Sequence, residues 1–340
     1  MTRRPFTGRR VRFGDLVLQV VAGTAAAAAT ALVGLIAWKV ADGAWPAIKE
    51  YGLAFVTRVA WNPVLGHELY GAGSFLFGTA VTSLLALALA APLSIGIALY
   101  LTELAPRFLR GPVTALVETL AAIPSVVLGL WGILVLGPVL RDHVEPALHS
   151  ALGFIPLFGP ASTSGSSIFT AIIVLTIMIL PIVSSISREL FLGVPRELKE
   201  GALALGATRW EMVSGVMFPY ARGGIAAALI LGLGRAVGEA IAVTQVIGGG
   251  VFIHWNLFDF GDTLASKIAS SYQGGTSKLQ ISSLIYLGLI LLVFSLVMNL
   301  AAQWIVRRVA RRQGLGARTR ARTGSPAPRC TRSTCRAGGP

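Results

Sequence analysis

Long apolar runs, interrupted by single charges and short polar stretches, dominate the chain. A helix needs about 17–25 predominantly apolar residues to cross a bilayer. Windows of that kind predict six membrane-spanning helices, at about residues 16–38, 75–101, 113–140, 168–187, 223–247 and 279–305. The third predicted span starts near Val113 and carries Glu118, and the fifth carries Arg235 and Glu239. The pattern therefore predicts an all-α, polytopic membrane protein.

Other local signals refine these spans. Residues 154–167 are rich in Pro, Gly and Ser and predict a loop between the third and fourth spans. Pro92 and Pro124 fall inside the second and third predicted spans and should kink them. The first apolar run is longer than the 7–15 residues of a signal-peptide core. We therefore expect it to stay in place as a membrane anchor.

Composition and charge agree with a membrane protein. Of the 340 residues, 54% are hydrophobic and 13% are charged, which excludes a disordered chain and disfavours a soluble domain. The net charge is +14, and most lysines and arginines lie in alternate loops that share a side with both termini. The positive-inside rule then predicts that both termini are cytoplasmic. Nucleic acid is not needed to explain the charge.

The charge pattern also divides the chain. We expect a cytoplasmic segment at 1–15, a transmembrane domain at 16–312 and a disordered basic tail at 313–340. The tail either contacts anionic lipid headgroups or is a solvated extension without a specific role. It contains Cys330 and Cys335, whose spacing matches no usual zinc site.

Signatures of catalysis are missing from the sequence. No G-x-x-x-x-G-K-[ST] loop occurs, so the chain is not expected to bind ATP through such a loop. The four histidines are scattered without metal-ligand spacing, and no G-x-S-x-G motif is present. We predict a chain that is not an enzyme and that holds no cofactor or metal.

The loop 195–211, between the fourth and fifth spans, predicts two short amphipathic helices. Gly206 should end the first helix, and the second can begin at Thr208. One face of the first helix is apolar, at Leu198, Ala202 and Leu205. From this pattern alone the loop is either a connector that rests on lipid headgroups or a docking site for a cytoplasmic partner.

A known family shares this loop. Glu200, Gly201, Ala202, Gly206 and Pro219 keep the spacing of the EAA loop of ABC-importer permeases, with Gly201 in place of the middle alanine. The resemblance implies a type I ABC-importer permease fold. It also implies that the segment 195–219 couples the chain to a separate ATPase.

Four further segments narrow the resemblance to the phosphate-transport (PstC) type of these permeases, at 79–83, 91–103, 118–127 and 232–239. This resemblance implies a permease subunit of an ATP-driven phosphate importer in the bacterial inner membrane. The implied partners are a second homologous permease of the PstA type, a cytoplasmic ATPase dimer and an extracytoplasmic phosphate-binding protein. Phosphate would be the substrate.

Arg235 and Glu239 are the candidate substrate-path residues. In a continuous helix their i, i+4 spacing places both on one face, and a charge inside a bilayer usually faces a bundle interior or a watery path. They form either a structural ion pair or part of an anion path. The resemblance favours the path, because charges on this helix are associated with phosphate translocation in that family. Glu239 could accept a hydrogen bond from protonated phosphate, which fully ionised sulfate cannot donate.

Three other functions stay open at this point. The chain could be an ABC permease for another oxyanion or small solute. It could be an ion-driven secondary transporter, although the inverted repeats and midplane broken helices of that class are not evident in the sequence. It could also be a membrane scaffold, which would leave Arg235 and Glu239 without a purpose.

Overall fold

The structure is a computed structural model, and it describes residues 13–322. Six helical segments in this part of the chain are long and apolar enough to cross a membrane, which confirms the predicted number of spans. They are Leu16–Tyr51, Gly73–Leu104, Ser125–Leu152, Ile168–Leu192, Arg209–Gly238 and Lys278–Val306. Residues 1–12 and 323–340 lie outside the described residues. The predictions for these two segments, which include Cys330 and Cys335, therefore stay predictions.

The α-helices of the described chain, in order, are α1 (Phe13–Tyr51), α2 (Ala54–Thr57), α3 (Gly73–Leu99), α4 (Arg107–Ala122), α5 (Ser125–Trp131), α6 (Gly137–Val139), α7 (Glu145–Leu152), α8 (Ile168–Leu192), α9 (Arg196–Ala204), α10 (Arg209–Met212), α11 (Phe218–Gly238), α12 (Ile241–Val246), α13 (Leu264–Ser271) and α14 (Lys278–Arg322). Wider π-helical turns extend or join several of them, at Tyr100–Leu104, Gly132–Leu136, Leu140–Val144 and Val213–Met217.

Helix α8, the fourth span, is the centre of the bundle. It is apolar on most of its circumference, as expected for a helix surrounded by others. Alanines on α3, the second span, let the two backbones approach closely. The resulting core joins α3, α8, α11 and α12 and includes Ala86, Ala90, Ile172, Leu175, Ile179, Ala228 and Val243.

The first span touches the bundle only near its C-terminal end. Ala44 and Ala47 are buried there against α14. The hydroxyl of Ser282 on α14 accepts a hydrogen bond from the Ala47 backbone N–H at 3.2 Å and donates one to the Gly43 carbonyl at 2.8 Å. Most of α1 before this point is apolar and exposed, which suits contact with lipid or another subunit.

The third span begins later than the sequence predicted. Residues 107–122 form the separate helix α4, in which no residue is fully buried, and Glu118 is exposed on it. Ile123 and Pro124 are extended, and α5 starts directly after them. A proline lacks the N–H and disfavours a helical residue before it, so Pro124 begins a helix and does not kink one. The predicted start near Val113 was wrong.

The sixth span agrees with its predicted bounds, but the helix that forms it continues beyond the span. Helix α14 runs through Arg322, ten residues into the tail for which the sequence predicted no regular structure. Arginine and alanine are good helix formers, and Gly314 and Gly316 do not end the helix. By contrast, the predicted loop at 154–167 contains no helix, and the buried carboxylate of Glu145 accepts a hydrogen bond from the Ser162 backbone N–H at 2.7 Å.

The loops gather at two ends, in the alternation that the charge pattern predicted. At one end α4, α9 and α10 lie beside the ends of the second and fourth spans. At the other end the Asn256 side chain accepts a hydrogen bond from Gly159 N–H, and Ser277 donates one to Glu68. Which end faces the cytoplasm stays a prediction from the arginines.

Candidate functional site

The fifth span breaks beside its two charges. Helix α11 ends at Gly238, Glu239 is extended with ψ 116°, and the short helix α12 follows. The continuous helix predicted at 223–247 was therefore wrong. Arg235 takes part in none of the ion pairs found within residues 13–322. Glu239 instead accepts a hydrogen bond from the Ala242 backbone N–H at 3.3 Å.

Close packing on the third span explains the break. Gly129 and Gly132 of that span lie against α12. A Cβ on Gly129 would come within 2.8 Å of the Ala242 Cα, and one on Gly132 within 2.8 Å of the Val246 side chain. Helix α12 therefore leaves the axis of α11 to fill a groove that only glycine leaves open. This tertiary contact has no signal in the periodicity of the fifth span.

Arg235 is exposed in an open cleft between α8, α11 and α14. The cleft has a volume of about 520 Å³, and its polar lining comes from Arg235, Asn299 and Gln303. Asn299 lies next to the backbone of Gly234, where a Cβ would be 3.8 Å from its Oδ1. The cleft thus brings Arg235 together with two neutral amides of the sixth span, and Glu239 is not among its lining residues. A guanidinium and amide N–H groups are suitable donors for an oxyanion.

The loop between the fourth and fifth spans forms the two predicted short helices, α9 and α10. Gly206 has φ +85°, a left-handed conformation that favours glycine and ends α9. Thr208 begins α10 through a reciprocal cap, in which its hydroxyl accepts from the Glu211 N–H and its own N–H donates to the Glu211 carboxylate. The predicted helix–glycine–helix arrangement and the start at Thr208 are confirmed.

This loop presents a mixed surface. Leu205 and Trp210 are 91% and 71% exposed, so α9 and α10 offer apolar side chains to a partner. The predicted apolar face of α9 is divided, because Ala202 packs inward while Leu198 stays exposed. The remaining candidate coupling residues are exposed: Glu200 and Gly201 on α9, Gly206 in the turn and Pro219 in the first turn of α11.

The sequence profile of the "Binding-protein-dependent transport system inner membrane component" family matches residues 90–311. The chain belongs to this family. Similar proteins extend over nearly the whole chain. A "Phosphate transport system permease protein PstC" of Mesorhizobium japonicum is 40% identical over 92% of this chain and 95% of its own length. A "Phosphate transport system permease protein PstC 2" of Mycobacterium tuberculosis is 41% identical over 87% of this chain and 93% of its own length.

Solved structures of ABC importers share the fold. One chain of a bacterial alginate ABC transporter, crystallised with an alginate pentasaccharide-bound periplasmic protein, gives a TM-score of 0.58. It is 18% identical, and the match covers 88% of this chain and 98% of that chain. The predicted ABC-importer permease fold is thus confirmed. This member of the inner-membrane component family is a multi-pass membrane protein of the bacterial inner membrane.

Sequence reasoning missed several polar partners in this permease. Asn299 and Gln303 stand one helical turn apart within an apolar run, a pattern that could have marked a polar face of the sixth span. Lys199 and Glu103 form an ion pair of 2.7 Å between α9 and the end of the second span. Because these two residues are far apart in the sequence, no local pattern predicted that contact.

Proposed function

We propose that this chain is a membrane-spanning permease subunit of an ATP-driven phosphate importer. The observation that carries the proposal is its 40% identity, over 92% of the chain, to a permease named for phosphate transport. Phosphate is the substrate class, and the chain supplies part of the path and the connection to ATP hydrolysis.

Arg235 is the proposed anion contact. It lies about 20 Å along the helix axis beyond Arg222, which places it well inside the bilayer. An exposed guanidinium at that depth would be costly against lipid. The face that carries Arg235 is therefore covered by another subunit or by water. Both conditions hold at a translocation path between two permeases, where the planar fork of arginine binds phosphate oxygens bidentately.

Glu239 is the second proposed path residue, and its role differs from that of Arg235. Its carboxylate is half-buried at the break between α11 and α12 and caps α12 through Ala242. Singly protonated phosphate can donate a hydrogen bond to a carboxylate, whereas sulfate cannot. Glu239 thus favours phosphate over sulfate where the path passes the break in the fifth span.

The segment 195–219 is the proposed coupling region, with Glu200, Gly201, Ala202, Gly206 and Pro219 as its marker residues. Its exposed Leu205 and Trp210 suit an apolar cleft on a cytoplasmic ATPase dimer. ATP is hydrolysed on those subunits and not on this chain. A second permease of the PstA type completes the path, and a phosphate-binding protein delivers the anion from the other side of the membrane.

The proposed domain division follows the same arrangement. Residues 1–15 and the basic tail 313–340 lie in the cytoplasm, and 16–312 form the transmembrane domain. The end that carries α4, α9 and α10 is the cytoplasmic end. The other loops face the binding protein.

A secondary transporter is the main rival from another class. The break in the fifth span resembles the broken helices of such transporters, a feature that was not evident in the sequence. The break in the fifth span does not decide between the two classes. The ATP-driven importer is favoured because the chain belongs to the binding-protein-dependent family.

The decisive experiment is reconstitution of the complete complex in vesicles, with ATP on the ATPase side and labelled phosphate with its binding protein on the other. We expect ATP-dependent phosphate uptake. Arg235→Gln should lower it at least about tenfold, since a hydrogen bond to a charged group contributes 1.5–3 kcal/mol. Arg222→Gln, which removes the same charge near the cytoplasmic end of α11, is the control. Uptake of another oxyanion in place of phosphate, or uptake driven by a proton gradient without ATP, would contradict the proposal.

A further inference from the structure

One ammonium group connects three elements at the cytoplasmic end. Lys199 of α9 places its Nζ 2.7 Å from Glu103 Oε1, at the end of the second span. The same Nζ donates to the carbonyl of Phe191, in the last turn of the fourth span, at 3.2 Å. Helix α9 of the coupling region is thereby tied to the second and fourth spans. Of these two spans, only the fourth is next to α9 in the sequence.

The surroundings of this ion pair favour its persistence. The side chains of Lys199 and Glu103 are 17% and 21% exposed, whereas the Arg141–Asp142 and Arg188–Glu189 pairs are more open to solvent. Exposed pairs contribute little because water and salt screen them. A short, charge-assisted bond in a partly dry site is stronger, and removing one partner leaves the other charge without compensation.

Glu103 also meets the second helix of the coupling region. It lies in the π-helical turn Tyr100–Leu104, and its backbone carbonyl accepts a hydrogen bond from Arg209 Nη1 of α10 at 3.5 Å. Such wide turns inside helices are frequent at functional sites. Both short helices of the coupling region therefore contact Glu103.

Apolar packing supports the polar contacts. Beneath the ion pair lies a buried cluster from the second, fourth and fifth spans and α10, against which Ala202 of α9 packs. Its fully or nearly buried members are Ala98, Phe191, Val194, Met212, Met217, Ala221 and Ile225. Packed interiors move as units and do not deform continuously.

We propose that Lys199 and Glu103 form a strut that transmits movement of the coupling region to the second span. The inference rests on the proposed function. Chain connectivity alone would deliver that movement to the fourth and fifth spans, which flank the loop. The strut adds the second span, so that three spans respond together when the ATPase closes. Lys199 and Glu103 are positioning residues and do not touch the substrate.

Phosphate uptake per ATP hydrolysed, measured in the reconstituted complex, tests the strut. Lys199→Met and Glu103→Gln should each lower this ratio at least about fivefold, the lower end of usual coupling energies. The double variant should be no worse than the worse single one, because both changes remove the same interaction. Lys199→Arg, which keeps the charge, should restore most of the ratio. Arg107→Met, a nearby exposed charge on α4, should leave it unchanged.

Co-purification of the ATPase with each variant separates loss of coupling from loss of assembly. The proposal holds if the ATPase is retained while the ratio falls. It is overturned if the single variants keep the wild-type ratio, if the two losses multiply in the double variant, or if either single variant fails only because the ATPase is lost. A wild-type complex that takes up no phosphate would instead contradict the proposed function.

A second measurement needs no phosphate. Leu104 and Leu192, at the ends of the second and fourth spans, are 65% and 51% exposed and can carry spin labels after replacement by cysteine, with Cys330 and Cys335 changed to serine. The distance between the labels should stay the same in nucleotide-free and vanadate-trapped complexes. It should shift or broaden on trapping in Lys199→Met. Identical distance distributions in both proteins would overturn the strut whatever the substrate is.

Discussion

The carboxylate of Glu239 accepts a hydrogen bond from the backbone N–H of Ala242, with 3.3 Å between Oε1 and the nitrogen. The bond satisfies a donor in the first turn of α12 that would otherwise lack a partner inside the membrane. This hydrogen bond uses only Oε1, so the second carboxylate oxygen does not take part in the cap. Glu239 can thus fix the break in the fifth span and still face an anion.

Substitution of Glu239 separates these two roles. Glu239→Gln keeps an oxygen that can cap α12 but removes the charge, whereas Glu239→Ala removes both. We expect the glutamine variant to keep its thermal stability while losing phosphate uptake or selectivity against sulfate. The alanine variant should in addition lose about 1 kcal/mol of stability, as other caps do.

Competition between labelled phosphate and unlabelled sulfate, measured in reconstituted vesicles, provides the readout. A glutamine variant with normal uptake and normal selectivity would leave Glu239 with the capping role alone. Selectivity would then reside in the external binding protein.

The number of spans could be predicted from the sequence because it depends on the length of apolar runs. The boundaries of the third and fifth spans could not, because Pro124 and the packing of α12 on Gly129 set them. Both charges of the fifth span were evident, but their relation was not. Periodicity assumes a continuous helix, and a tertiary contact ended that helix at Gly238.

Contacts between residues that are far apart in the sequence could not be predicted from the pattern of hydrophobic and polar positions. Lys199 and Glu103 are ordinary charges near span ends, and nothing in their spacing predicts a 2.7 Å pair. The loop helices α9 and α10 were predictable, because Gly206 and Thr208 act through their own backbone and side chains.

Two glycines of the coupling region should respond oppositely to alanine. Gly206 has φ +85°, so Gly206→Ala strains the turn by about 1–3 kcal/mol. Gly201 lies inside α9 with no atom within 4 Å of a Cβ. Gly201→Ala should therefore stabilise α9 by up to about 1 kcal/mol. We expect the first change to weaken ATPase binding about five- to tenfold or more, and the second to maintain or strengthen it.

Titration of the purified ATPase onto the permease in detergent micelles checks this pair. The two variants differ from the wild type by the same methyl group, so each controls for the other. Equal effects of both substitutions would show that the left-handed turn at Gly206 is not required for docking.

A carboxylate next to Arg235 should block the proposed path. Asn299 lines the same cleft, and Asn299→Asp changes its charge with almost no change of shape. The new carboxylate would pair with Arg235 and repel an anion, so we expect phosphate uptake to fall at least tenfold. Asn299→Leu, which only removes the amide, should reduce uptake less. The binding protein's affinity for phosphate, measured alone, should be unaffected by either change.

The order of these two variants is the critical result. If Asn299→Leu were as damaging as Asn299→Asp, loss of packing or of a hydrogen bond would explain both. If neither changed uptake, the cleft beside Arg235 would not be on the path.

Asp262 should make the loop before α13 sensitive to pH. It is buried beside Gly78 at the start of the second span, and its carboxylate accepts from the Thr263 N–H at 2.9 Å, with Lys267 Nζ at 4.0 Å. Burial raises the pKa of Asp262 to about 6, although Ser266 and Lys267 partly oppose the shift. The folded protein then holds this proton more tightly than the unfolded chain, whose pKa is near the ordinary 3.9. Stability from this group is therefore full at low pH and is lost as the pH rises from about 4 through 6.

Thermal unfolding of wild type and Asp262→Asn from pH 4 to 7.5 measures this effect. The asparagine does not ionise, so its stability relative to wild type should rise across that interval by up to about 3 kcal/mol, at 1.36 kcal/mol per pKa unit. A constant difference between Asp262→Asn and wild type would mean that water or Lys267 compensates the buried charge fully. The contact between this loop and the second span would then be independent of pH.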